Sequence, residues 1–218
     1  EYLDYNDKQW SKLGIDLLLG SPLDVNITPY QSMFLPDYLM KSFDSSTIGS
    51  KALISKKFSL FDIETAPAGK NFFTNPLFIF SLVFLLVLLL SFSKNILITR
   101  FLDAFDGFLV FITGIMGCLF ILMWTGTEHL MCKNNYNILW AWPTNVIMAF
   151  YFHSKRQSPS WYFLVYAVFN LLLIAGWLFL PQHLNPSIIP VIGIIVFRSL
   201  FHRYYQKEKK YEPYNFSK

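Results

Sequence analysis

Charge is scarce in this chain: Asp, Glu, Lys and Arg make up 15% of its 218 residues, and positions 76 to 90 hold none. A soluble domain of this size would break such a run with polar faces, whereas a helix rising ~1.5 Å per residue needs ~20 apolar residues to cross a ~30 Å hydrocarbon core. Cysteine is also rare. Cys118 lies in an apolar run and Cys132 in a polar loop, so no disulfide framework is indicated and their differing depths disfavour pairing. No Asp, Glu, Lys or Arg falls near the middle of an apolar stretch, which disfavours a pump, an ion channel or a voltage sensor. The net charge of +4 reflects no nucleic-acid surface, because Lys207, Lys209 and Lys210 gather behind the last apolar stretch, where a membrane surface accounts for them. An initiator Met and a signal-type leader are missing too. With a polar segment of about seventy residues expected on the translocated side, the chain reads as a mature or C-terminal portion of a longer precursor.

What is abundant is apolar and aromatic: 54% of residues are hydrophobic and 19% are Phe, Trp or Tyr. Five spans are expected, at 75–92, 107–124, 138–152, 161–180 and 187–201, the third the shortest. The fold class is therefore an all-α polytopic membrane protein with about five transmembrane helices: a small N-terminal periplasmic segment (1–71), the bundle (72–203) and a basic cytoplasmic tail (204–218). Lys94, Arg100, Lys155, Arg156, Arg198 and Arg203 alternate with poorly charged connections. By the positive-inside rule this puts the C-terminus in the cytoplasm and the N-terminus outside, a bacterial inner-membrane topology against which Lys70 argues mildly. Trp124, Trp140, Trp142 and Trp177 are expected as an outer aromatic belt, Tyr151, Trp161 and Tyr162 as an inner one.

Several further features have local readings. Ile96, Leu97, Phe101, Phe105 and Phe108 recur at helical spacing, as an interfacial helix or as the start of the second span. Thr113 with Gly117 and Gly114 with Cys118 allow a close helix approach, Pro143 and Pro190 are candidate kinks, and Asn145 and Asn170 are candidates for interhelical hydrogen bonds. The polar start reads as a helix over 10–20, a second over 28–40 and a strand around Leu53, Ile54, Phe58 and Leu60, with too little apolar material for an independent core. Asp16, Asp24 and Asp37 are candidate caps or turn residues, or an acid and base pair if the fold brings two of them together.

The second connection, 125–143, is unusually polar. Glu128, His129 and Cys132 supply residue types used by a thiol nucleophile with a base, or by a metal site. Their spacing matches no catalytic pattern, and one His with one Cys is too few ligands for zinc, so neither a metal nor a cofactor is assigned. His153, His183 and His202 read as interfacial.

The strings LGIDLLLGSPLD (13–24), TPYQSMFLPDY (28–38), FDG (105–107), TG (113–114), EH (128–129) and NYNILW (135–140) resemble a Bacteroidota membrane-protein family long catalogued only as a domain of unknown function and associated with Lnb-type lipoprotein N-acyltransferase. The resemblance implies transfer of an acyl chain from a phospholipid to the amine of a lipoprotein's lipidated N-terminal cysteine. It also implies a periplasmic thiol-hydrolase-like domain upstream that supplies the nucleophile, so no catalytic residue is placed on this chain. Glu128, His129 and Asn137 match the family's outer-loop pattern and take a supporting or substrate-binding role, with Trp124 and Trp140 holding the loop at headgroup depth. Cys132 departs from the pattern. The expected partners are phospholipid, a lipoprotein and the membrane; the alternative is a non-enzymatic anchor or subunit of a larger envelope complex.

Overall fold

The computed structural model describes residues 8–58, 72–153 and 160–211. The chain divides into two compact units, 1–24 with 69–218, and 25–68. The larger opens with helix α1 (Gln9–Leu18), which buries Leu13 and is followed by a 3-10 turn at Ser21–Asp24. This is the first amphipathic helix expected from the sequence.

In the smaller unit, Thr28 and Gln31 form a reciprocal capping box that starts α2 (Pro29–Ser32), satisfying donors that a helix start leaves open. Pro36 then begins a separate helix, α3 (Pro36–Ser45), because a proline disfavours helical geometry in the residue before it. The single helix expected over 28–40 is thus two. The strand expected near Leu53 lies earlier, as a hairpin of β1 (Thr47–Ile48) and β2 (Lys51–Ala52) turning at Gly49 with φ +62°. Leu60 falls outside the described residues, as do Lys70, Lys155 and Arg156.

The bundle consists of α4 (Pro76–Ser91), α5 (Ile96–Thr125), α6 (Asn145–His153), α7 (Ser160–Ala175) and α8 (Ile189–Tyr211). Asn75 and Asn95 accept hydrogen bonds from Leu77 and Leu97 and so cap α4 and α5, as short polar side chains do at helix starts. α5 is one continuous helix of 30 residues and the one described helix long and apolar enough to cross a membrane by that measure; α4, α7 and the apolar start of α8 are shorter. Residues 96–108 therefore begin the second span rather than forming a separate interfacial helix.

Leu102, Asp106, Val110, Thr113, Gly117 and Phe120 make a buried stripe along α5, while Phe108, Ile112, Ile115, Leu119 and Leu122 are exposed. In a bilayer, apolar surface toward lipid carries no penalty, and close packing of small residues does the work of association. Neighbouring pairs are α5 with α6, α7 with α8, and α4 with both α5 and α8. Pro143 and Pro190 lie before α6 and at the start of α8, so they mark helix beginnings instead of kinks.

The expected third span, 138–152, is helical along only part of its length. A 3-10 turn at Tyr136–Leu139 gives way to irregular chain, and α6 has 9 residues. A Cβ added to Gly117 would stand 2.1 Å from the Ala141 carbonyl oxygen, and one on Gly114 2.3 Å from the Val146 nitrogen. Ala141 therefore lies about 12 Å inward of the α5 end, eight residues at ~1.5 Å each. The connection leaves α5 at Gly126, turns, and re-enters the bundle as non-helical chain. Such chain is tolerated at membrane depth only where protein groups satisfy its peptides.

Candidate functional site

Four side chains from two connections close the C-terminal end of α1. The last carbonyls of any helix lack intrahelical partners, and here Asn137 Nδ2 donates to the carbonyls of Asp16 (3.0 Å) and Leu17 (3.3 Å), Asn135 Nδ2 to Leu17 (2.7 Å), and Gln182 Nε2 to Leu19 (2.8 Å). Asn185 Nδ2 donates to the Asp16 carboxylate at 2.7 Å. The backbone joins in: Gly20 N–H donates to Met131 O and Ser21 N–H to Asn134 O. Gly20 is required, since a Cβ there would lie 1.9 Å from the Lys133 carbonyl oxygen. Asn134 turns the facing chain at φ 52°, a conformation Asn tolerates better than most residues.

From that clamp a buried polar network runs into the bundle. Trp140 Nε1 donates to Asn137 Oδ1 at 3.0 Å, and the Tyr166 hydroxyl donates to the Trp140 carbonyl at 2.6 Å. Asn145 Nδ2 donates to Thr113 (3.0 Å) and the Tyr166 hydroxyl (2.9 Å), while its Oδ1 accepts from Tyr162, whose hydroxyl also meets Thr144 at 2.8 Å. Asn145 thus makes the interhelical bonds expected of it. Asn170 does not: its amide donates to Tyr166 O within α7, and its buried oxygen has no partner among the described residues.

A second polar cluster ties α4, α5 and α8 together. Arg198 Nε and Nη2 grip the Asp106 carboxylate at 2.7 and 2.6 Å, and Nη1 donates to Ser91 at 2.8 Å. The pair is 7% and 4% exposed, so Arg198, expected as a boundary charge, is a buried partner. A cavity of about 20 Å³, lined by Asp106, Thr113, Tyr166 and Arg198 among others, separates this pair from the Asn145 network. It has room for about one water.

The residues singled out from the sequence separate into two pairs. Asn137 and Trp140 come together, buried and bonded to each other, so Trp140 belongs to the core and not to the aromatic belt; Tyr162 is corrected in the same way. Both have structural employment. Glu128 and His129 are exposed on the turn leaving α5 and join neither the clamp nor the network. Cys132 is buried, Cys118 exposed, and both are free. Among the described residues no three His, Cys, Asp or Glu converge as a metal site would need. Sequence reading missed Asn135, Gln182, Asn185 and Tyr166. The available signals were the Asn-rich connection and the opposite lone charges Asp106 and Arg198 on two apolar helices.

Beside the clamp lies an open cleft of about 470 Å³ between α1, the Ser21–Asp24 turn and the 176–186 connection. Asp24 closes one side, accepting from His183 N–H at 2.8 Å and facing His183 Nδ1 at 3.2 Å.

The sequence profile of a five-helix transmembrane family, described as the Lnb transmembrane domain, matches residues 68–210. The chain belongs to the Lnb transmembrane domain family. The match takes in all five bundle helices but for the last turn's end, both polar clusters, and Glu128, His129, Asn137 and Trp140. The motifs at 13–24 and 28–38 precede it. Searches of curated proteins and of solved structures find no match. Membership in the Lnb transmembrane domain family makes this a membrane component of an Lnb-type protein.

Proposed function

We propose that this chain is the membrane domain of an Lnb-type lipoprotein N-acyltransferase in a bacterial inner membrane. The observation that carries the reading is membership in the Lnb transmembrane domain family. Support from the fold is the α1-bearing end of the bundle, where an open cleft lies beside the clamp on α1. In the proposed reaction a fatty acyl carbonyl leaves its phospholipid ester and forms an amide with the free amine of a lipoprotein's lipidated N-terminal cysteine. Lysophospholipid departs with the displaced oxygen protonated. The nucleophile comes from a thiol-hydrolase-like part outside this chain; the bundle supplies proximity, holding both lipidated reactants at one depth. His129 and Glu128 support that step from the exposed turn.

In lipoprotein N-terminal peptides from cells lacking the full-length protein, mass spectrometry is expected to find a free amine and one fewer acyl chain. Wild-type complementation restores the chain, and His129→Ala restores it less well. Unchanged acylation in a deletion strain without a redundant enzyme would overturn the activity and leave a non-enzymatic envelope subunit as the better reading.

The same proposal puts the α1-bearing end in the periplasm and the C-terminus in the cytoplasm, following the alternating basic residues. An impermeant thiol reagent should label a cysteine placed at Ser50 and spare one at Ser217. The reverse pattern contradicts the orientation.

A further inference from the structure

We propose that the cleft between α1 and the 176–186 connection binds the headgroup of a zwitterionic aminophospholipid, its ammonium toward Asp16 and Asp24 and its phosphate toward Lys12. The assignment of that lipid as acyl donor rests on the acyltransferase reading; the binding itself does not.

Size comes first. At about 470 Å³ the cleft falls in the range of small-molecule sites, whereas the cavity beside Arg198 holds about one water. A groove of about 390 Å³ between α5 and α6 is lined by Ala104, Gly107, Phe108, Phe111, Ala149 and Phe150, and apolar walls of that kind cannot tell one headgroup from another.

Charge narrows the occupant. Lys12 and Asp16 stand four residues apart on α1, hence on one helical face, and Asp24 faces the same cleft from the following turn. Asp16 already accepts from Asn185 and Asp24 from His183, so a ligand ammonium would join an ordered set of acceptors. The clamp on the α1 carbonyls holds this geometry. A site with carboxylates and an ammonium within one cleft complements a headgroup that carries both signs. An anionic glycerol headgroup offers the carboxylates only neutral hydroxyl donors and no positive charge, and a quaternary amine has no N–H to donate to them.

The rim fixes which kind of molecule carries that headgroup. Leu178 and Phe179, next to the cleft-lining Trp177, are 91% and 89% exposed. In a member of a transmembrane family, large apolar side chains standing out beside a Trp at a bundle end are placed to enter the acyl region, with the polar cleft at headgroup level. The ligand's acyl chains then leave past Trp177 and Leu178 into the bilayer.

The test is native mass spectrometry of the purified full-length protein with dioctanoyl phosphatidylethanolamine, phosphatidylcholine and phosphatidylglycerol. Phosphatidylethanolamine is expected to bind about tenfold more tightly than the other two, the size of one charge-assisted hydrogen bond. Asp24→Asn, which keeps an acceptor for His183 N–H, should remove most of that preference, while Lys12→Gln should weaken binding of all three lipids. Thermal midpoints of both variants, compared with wild type, separate lost binding from lost fold, and Asp24→Glu should recover the preference. Equal binding of the three lipids, or a preference that survives Asp24→Asn in a folded protein, overturns the proposal. Lipoprotein acylation in cells is read separately, so a cleft without headgroup preference leaves the acyltransferase reading standing, and a selective cleft in a protein without that activity leaves the cleft standing.

Discussion

Replacing Gly117 by leucine is expected to remove most of the protein from the membrane, and replacing Gly114 by leucine to do nearly the same. Even the first carbon of a new side chain at Gly117 would stand 2.1 Å from the Ala141 carbonyl oxygen, and at Gly114 2.3 Å from the Val146 nitrogen. Both obstacles are backbone, so no rotamer change relieves the clash. Overpacking a well-filled site costs about 1–3 kcal/mol when neighbouring side chains can yield, and here the re-entrant chain itself must move. Its displacement would strain the Asn145 bonds to Thr113 and Tyr166 and the Tyr166 bond to Trp140. Quantifying each variant in isolated membranes, alongside its specific activity, decides the matter. Normal accumulation with lost activity would mean that these glycines serve chemistry and not packing.

Arg198→Ala is expected to destabilise the bundle about as strongly, through charge instead of volume. It would strand the Asp106 carboxylate, 4% exposed, without either of its guanidinium bonds, and breaking a buried pair from one side typically costs about 3–5 kcal/mol. Asp106→Ala strands the guanidinium in turn. The informative comparison is Asp106→Leu with Arg198→Met together, since replacing a whole buried pair by apolar groups of similar size is often neutral. Thermal unfolding in detergent should show two poor single variants and a double variant near wild type. Additive losses would mean that the pair is not the unit of stability.

The sequence carried the bundle and the packing face of α5, because uncharged runs and small residues spaced by four encode those locally. Three things were not legible in it. The third span looks like a helix by composition, but whether Trp140, Ala141 and Trp142 continue one or run irregularly depends on distant acceptors and donors, chiefly Tyr166 and the α1 carbonyls. Trp140 and Tyr162 fit a belt by position along the chain, yet each has a polar atom bonded to a buried partner on another element: the Trp140 carbonyl accepts from Tyr166, and the Tyr162 hydroxyl donates to Asn145. Asp106 and Arg198 sit 92 residues apart, so each alone reads as a boundary charge. The candidate site was half legible. Asn137 was picked out from an outer-loop pattern, whereas its clamping of α1 needed the fold to bring the 126–144 connection back against Asp16 and Leu17.

The most direct test of the central claim is reconstitution. The purified full-length protein carrying this membrane domain is placed in liposomes with a phospholipid bearing isotopically labelled acyl chains and a lipopeptide whose N-terminal cysteine is diacylated and has a free amine. The account predicts one labelled chain on that amine, with lysophospholipid formed in equal amount. An unmodified amine, under conditions where an independent N-acyltransferase modifies the same lipopeptide, would contradict it.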